Sequence, residues 1–256
     1  MKEKFTYIEF LMYVLPGSFL VTVILLCLWS LSPDVLNPMK GNLSSSLVFI
    51  VMSFIFGNFI QTISHRGPEK RLKKEYWKKH YPSDIMFFRG NEVIDESGRQ
   101  DLLNACVQSG LMNEQELKLF DTPNSFPKEA LQKAKNAFDY IRIHLEKGDK
   151  VGRIQTAEGH YLFYRGLFVS CFLAAVIFII PPIIFLLRHS YPSQLQDALG
   201  KNPSILIGFI IPILEAAICL YFWRVFRDRA RGAGQGFARE VSRIFCASVL
   251  LEDNRK

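Results

Sequence analysis

The stretch at residues 10–31, FLMYVLPGSFLVTVILLCLWSL, decides the fold: twenty-two consecutive residues carry no charge. A helix rises about 1.5 Å per residue, so roughly 20 apolar residues cross the hydrocarbon layer of a bilayer. This run exceeds the roughly 7–15 apolar residues of a secretory signal, and no small-x-small cleavage pattern follows it. It reads as a retained span. Working outward, residues 43–63 form a second uncharged run, residues 167–187 a third, and residues 205–223 a fourth that contains one acid, Glu215. The chain has 256 residues, 49% of them apolar, close to a soluble average. That average hides a segregation: most of the 31 Lys and Arg and 24 Asp and Glu lie between or beyond the four runs. Such a pattern excludes an ordinary soluble globule, a disordered chain and a secreted disulfide scaffold.

The expected fold is an all-α integral membrane protein, with four transmembrane helices arranged as two hairpins and a small, mostly helical cytoplasmic domain. The expected division is residues 1–66 for the first hairpin, 67–159 for the insert and 160–223 for the second hairpin. Residues 224–256 are expected to form a basic juxtamembrane segment and a C-terminal helix. Of the 31 Lys and Arg, 28 fall on the side shared by the N-terminus, the insert and the C-terminus; only Lys40, Arg188 and Lys201 fall on the other. Positive charge near span ends stays inside, so both termini and the insert are expected in the cytoplasm. The net charge of +7 then reports topology and attraction to anionic headgroups before any nucleic acid. Five cysteines without CxxC spacing indicate neither a disulfide framework nor a zinc site. No metal or cofactor is expected.

Within the insert, a basic helix is expected at residues 68–80, closed by Pro82. Its Lys70, Arg71, Lys73, Lys74, Lys78 and Lys79 interleave with Tyr76, Trp77 and Tyr81. An interfacial helix has this pattern, with aromatic rings at headgroup level and cations outside. Together with Arg224, Arg227 and Arg231 these cations form a candidate surface for lipid headgroups or an anionic ligand. The rings also suit a stacked nucleotide or RNA, the less favoured partner. Residues 84–95 read as a small hairpin about an Arg-Gly-Asn turn. A helix is expected at residues 100–109, and a short one at 113–120 with Asn113 and Glu116 as a capping box. Residues 127–147 place Leu131, Ala134, Phe138, Ile141 and Leu145 on one stripe, with Ser125 as cap and Gly148 as stop. That stripe matches Phe237, Val241, Ile244, Phe245 and Ser248 on a C-terminal helix. The glycines at 232–236 read as a hinge before it.

Glu215 lies about eight residues inside its span, roughly 12 Å deep. Ionisable groups in spans are costly and mark functional sites. Ser18, Asn58 and Ser170 count to a similar depth, and Asn58 heads a polar stripe with Gln61, Thr62 and His65. A polar cluster of Glu215, Asn58, Ser18, Ser170 and Gln61 is therefore expected, as hydrogen-bonding glue between helices, as an ion or proton path, or as a subunit contact. Pro16, Pro181, Pro182 and Pro212 lie within spans and free backbone groups there; Pro181-Pro182 is read as the start of unwinding. Tyr164 and Arg165, with His160 and Tyr161, read as an interfacial belt.

Tyr7 to Leu20 (YIEFLMYVLPGSFL), Gly57 to Gln61 (GNFIQ) and Tyr164-Arg165-Gly166-Leu167 resemble segments of small bacterial inner-membrane proteins. In these, two hairpins flank a cytoplasmic insert, and some are membrane components of anti-phage defence systems. The resemblance implies a bacterial inner-membrane setting and no catalytic residues. The expected function is a non-enzymatic, oligomeric membrane sensor or effector whose cytoplasmic domain receives a protein or ligand signal and alters the spans. Its expected partners are the anionic bilayer, further copies of the chain and a cytoplasmic protein. The alternatives are an ion channel or transporter with Glu215 in the pathway and, less favoured, a membrane-bound lipid-modifying enzyme.

Overall fold

The computed structural model describes residues 8, 10–31, 43–77, 79–122, 126–146, 151–188 and 203–253. Every element in them is helical, and no strand occurs among the described residues. A π-helical stretch, Phe10–Val14, leads into α1 (Leu15–Leu31), followed by α2 (Leu43–Arg66), α3 (Pro68–Tyr76) and α4 (Pro82–Ile85). Then come α5 (Glu96–Gln108), α6 (Glu114–Leu117), a 3-10 turn at Lys118–Phe120, α7 (Lys128–Glu146), α8 (Val151–Arg188) and α9 (Pro203–Asp253). Three helical stretches, Phe10–Leu28, Ser46–Tyr76 and Gly152–Ile184, are long and apolar enough to cross a membrane. Ser125, Lys78, Gly148, Lys40 and Lys201, named above from the sequence, lie outside the described residues.

The chain divides into two compact units, residues 1–68 with 162–229, and residues 69–161 with 230–256. In the first unit α1 and α2 approach closely. A Cβ at Gly17 would overlap the Ser53 carbonyl, and one at Gly57 the Tyr13 carbonyl. Small residues of this kind let spanning helices pack backbone to backbone. The interior continues with Leu20, Ile60, Phe168 and Val169, and with Val23 against Ala174, Ala175, Phe178, Ala216 and Cys219. Large apolar side chains cover the exterior as well: Leu47, Ile55, Phe59, Val176, Ile183, Leu214 and Ile218 are all exposed. Water-facing surfaces rarely gather so many large apolar side chains, whereas hydrocarbon imposes no cost on them.

The prolines do not end the helices of this unit, contrary to the unwinding expected at Pro181-Pro182. α8 continues through both to Arg188, and α9 through Pro212. Proline 181 cannot donate to the carbonyl four residues back. That carbonyl, on Ile177, instead accepts from the Cys27 thiol at 3.9 Å.

The second unit has its own core. Leu72, Met86, Phe87, Phe88, Leu102, Leu103, Phe120, Ile141 and Ile154 are fully or almost fully buried. The rings of Phe88 and Phe120 meet edge to face at 5.1 Å. On α7 the buried residues are Ala130, Ala134, Ala137, Phe138, Ile141 and Leu145. Its Phe138 ring meets Phe237 of α9 at 6.0 Å, where Val241, Ile244 and Phe245 are buried as well. Asp95 caps α5, its Oδ1 accepting from the Gly98 N–H at 3.1 Å, so α5 starts at Glu96 rather than at 100. The Asn113–Glu116 capping box is formed in both directions, each bond 2.9 Å.

Four expectations change in this unit. Residues 84–95 form no hairpin. Met86, Phe87 and Phe88 are all buried, which an alternating strand cannot do. The Asn91 side chain also occupies backbone groups that a partner strand would use. Its Nδ2 donates to the Met86 and Phe88 carbonyls (3.1 and 2.7 Å), and its Oδ1 accepts from the Val93 and Ile94 N–H groups (2.8 and 3.0 Å). The basic helix stops at Tyr76. Lys79 has φ +73°, and its N–H returns to the Lys73 carbonyl at 2.8 Å, a left-handed termination. Trp77 is not an interfacial ring; it is 1% exposed and packs beside Tyr161, centroids 6.4 Å apart. The glycines at 232–236 form no hinge, because α9 runs unbroken through them. Glycine costs a helix roughly 1 kcal/mol relative to alanine, but Gly234 makes room: a Cβ there would stand 3.1 Å from the Trp77 ring and 3.3 Å from that of Tyr161.

Candidate functional site

Among the described residues of the first unit, Gln61 on α2 bonds to two other chain segments. Proline 16 has no N–H for the Met12 carbonyl, its acceptor four residues back, and the chain widens to a π-helix there. Gln61 Nε2 donates to that carbonyl at 2.9 Å and to the Leu162 carbonyl of α8, also at 2.9 Å. Its Oε1 accepts from Arg165 Nη2 at 3.1 Å. Ser170 Oγ donates to the carbonyls of Pro16 (3.1 Å) and of Gly166 (3.0 Å). At Gly166 a Cβ would come 2.9 Å from both Gln61 Nε2 and the Pro16 ring. Three chain segments distant in sequence thus meet at one polar junction. Arg165, read from sequence as part of an interfacial belt, is instead buried at 7% exposure. A guanidinium held among apolar helices is costly unless hydrogen-bonded, and the Gln61 amide supplies one of its acceptors.

Of the five residues expected to cluster, Gln61 and Ser170 belong to this junction. Asn58 is exposed and donates to Phe54 of its own helix at 3.0 Å. Ser18 donates to Leu15 of its own helix at 2.9 Å. Glu215 is half-buried between the inward Ala216 and the outward Leu214, and bonds to none of the other four among the described residues. Helix geometry explains the split. The buried face of α2 is centred on 57, 60 and 64; at about 100° per residue Gln61 lies at its edge, and Asn58, about 60° further round, falls outside it. Sequence reasoning missed Arg165 and the Met12 carbonyl; the available signal was a proline in one apolar run and a lone glutamine in another.

The basic candidates separate too. Lys70, Lys74, Lys79 and Arg224 are exposed, and Arg71 pairs with Glu75 at 2.6 Å. Lys73 lies over the Tyr81 ring at 3.2 Å. Arg231 lies over the Tyr76 ring at 4.7 Å and pairs with Glu92 at 3.1 Å. Arg227 pairs with Asp228 at 3.4 Å. Arg99, not singled out in the sequence, is buried; it bonds Glu96 (2.6 Å), Asp121 (3.4 Å) and the Phe87 carbonyl (3.3 Å). The second unit also has a cleft of about 660 Å³, lined among others by Asn91, Asp95, Asp101, Arg239, Arg243 and Cys246. Among the described residues no group of three His, Cys, Asp or Glu is placed to hold a metal ion.

Fold and junction define a class: a helical protein with three helices long and apolar enough to cross a membrane, joined to a second helical unit with a core of its own. No protein-family model, curated protein or solved structure matches the chain.

Proposed function

We propose that the chain is a four-span protein of the bacterial inner membrane, with residues 205–223 of α9 as the fourth span and both termini cytoplasmic. It acts as a non-enzymatic, oligomeric sensor or effector: the second unit receives a ligand or protein signal and the spans respond. The observation that carries this reading is the course of α8. Its first eleven residues belong to the second unit, and the helix enters the first unit unbroken at Leu162. Leu162 and Arg165, in the first turn past that division, are bonded to Gln61. A shift of α8 along or about its axis must therefore strain or break the junction that locks α1, α2 and α8 together. Packed interfaces respond to such shifts as two-state elements. The cleft beside Arg239 and Arg243 gives a ligand a place to act. The membrane assignment is further supported by the apolar exterior of the first unit and by the positive-charge bias.

Flux through liposomes holding the purified chain tests the reading. A gated effector passes no ions at rest, and Gln61→Leu raises the resting flux by unlocking the junction. Constitutive flux from the wild type, abolished by Glu215→Gln, would replace this reading with the channel.

A further inference from the structure

α2 has two seams. The inner one, Ser53, Gly57, Ile60 and Ser64, is buried within the chain. The outer one, Val48, Val51, Ile55, Asn58, Thr62 and His65, advances by 3, 4, 3, 4 and 3 residues and is exposed at every position. Only 22% of the most apolar stretch containing α2 is buried, against 39% and 50% for the two other helices long enough to cross a membrane. A seam repeating every 3.5 residues suits a second helix crossing at about +20° in a left-handed pair. Apolar residues on that seam are at ease in lipid; Asn58 is not. It lies eight residues before Arg66, about 12 Å along the helix. One of its N–H groups reaches the Phe54 carbonyl at 3.0 Å. The other N–H and Oδ1 have no partner among the described residues, and hydrocarbon supplies none. Thr62 is satisfied within α2, donating to the Asn58 carbonyl at 3.0 Å.

We propose that α2 pairs with α2 of a second copy of this chain along the outer seam, the two Asn58 amides bonded to each other across a two-fold axis. The amide selects this occupant because it both donates and accepts, so two identical copies satisfy each other with no further partner. Copies inserted with one topology pair in parallel, and each seam residue then faces its own counterpart. No Lys, Arg, Asp or Glu lies on the seam to repel its copy. Val48, Val51 and Ile55 supply apolar packing along the same seam. An asparagine enclosed in such a seam fixes register and copy number. This inference rests on the membrane reading and names the surface through which its oligomer forms.

Disulfide trapping of the full chain in native membranes, combined with light scattering in mild detergent, tests it. Ile55→Cys is expected to give a covalent dimer under mild oxidation, while wild type and the off-seam Phe54→Cys do not. Asn58→Leu should weaken the detergent dimer about threefold to thirtyfold, the range for one polar contact between spanning helices, and Asn58→Gln should restore most of it. A wild-type dimer that traps at Phe54→Cys, or that is insensitive to Asn58→Leu, overturns this interface and leaves an oligomer built elsewhere. A wild-type monomer overturns both the interface and the oligomeric part of the functional reading. Release of the chain from membranes by alkaline carbonate would overturn the membrane reading itself.

Discussion

Replacing Gln61 with leucine removes the hub of the junction while nearly preserving its volume. Two donations are lost, to the Met12 and Leu162 carbonyls (2.9 Å each), with one acceptance from Arg165 (3.1 Å). Hydrogen bonds between spanning helices average about 0.6 kcal/mol, so the two donations contribute about 1.2 kcal/mol. A bond to a charged donor contributes about 1.5–3 kcal/mol. Leucine regains some packing and Arg165 keeps its other contacts, so the expected loss is about 2–4 kcal/mol. Gln61→Glu keeps an acceptor for Arg165 but gives up both donations, and should fall between wild type and Gln61→Leu. Ser170→Ala removes one shared hydroxyl proton and should cost about 0.6–1 kcal/mol. Unfolding of the full chain in mild detergent, titrated with a denaturing surfactant and followed by tryptophan fluorescence, measures each. A Gln61→Leu midpoint within about 0.5 kcal/mol of wild type would refute the junction as a lock.

Gly57→Val drives a side chain into the Tyr13 carbonyl and should cost at least the roughly 1–3 kcal/mol of an overpacked core. Gly152→Val, where nothing stands within 4 Å, is the control in the same assay. In the second unit, burial holds the His80 imidazole below its ordinary value, its ring 5.4 Å from that of Phe126. The folded unit then binds fewer protons than the unfolded chain as pH falls below about 6.5, so its stability drops in that direction. His80→Asn should flatten that drop between pH 7.5 and 5, read as the difference in melting temperature from wild type. Burial also pushes the Cys106 thiol up to about 12, while Cys246 is raised but lines the cleft. Maleimide at pH 8, followed by mass spectrometry, should label Cys246 slowly and Cys106 only after unfolding. Faster labelling of Cys106 would contradict its burial.

Several elements were legible because their causes are local. An apolar run of about twenty residues set in hydrocarbon forms a helix, since hydrocarbon leaves the backbone no other partner. The Asn113–Glu116 box and the stripe ending at Leu145 follow from spacings of three and four residues. The hairpin about residue 90 failed for an equally specific reason: aromatic and β-branched composition suits a strand, but Asn91 captured the backbone groups. At 232–236 the glycines looked like a break, and they proved to be the place where a helix passes under Trp77.

The sequence by itself determined that the long apolar runs are helical, where charge is excluded, and that Gln61, Asn58 and Glu215 are polar groups in apolar runs. It did not determine which way each of them points. One residue step turns a helical side chain by about 100°, so depth along a span leaves facing open until neighbouring helices dock. Tertiary packing turned Gln61 inward to meet Met12, Leu162 and Arg165, left Asn58 on the outer face, and separated Glu215 from both. For Gln61 and Asn58 the physical reason is the close backbone approach at Gly17 and Gly57. Backbones can touch only on the face where side chains are absent, and that face sets the rotation of every other residue on the helix.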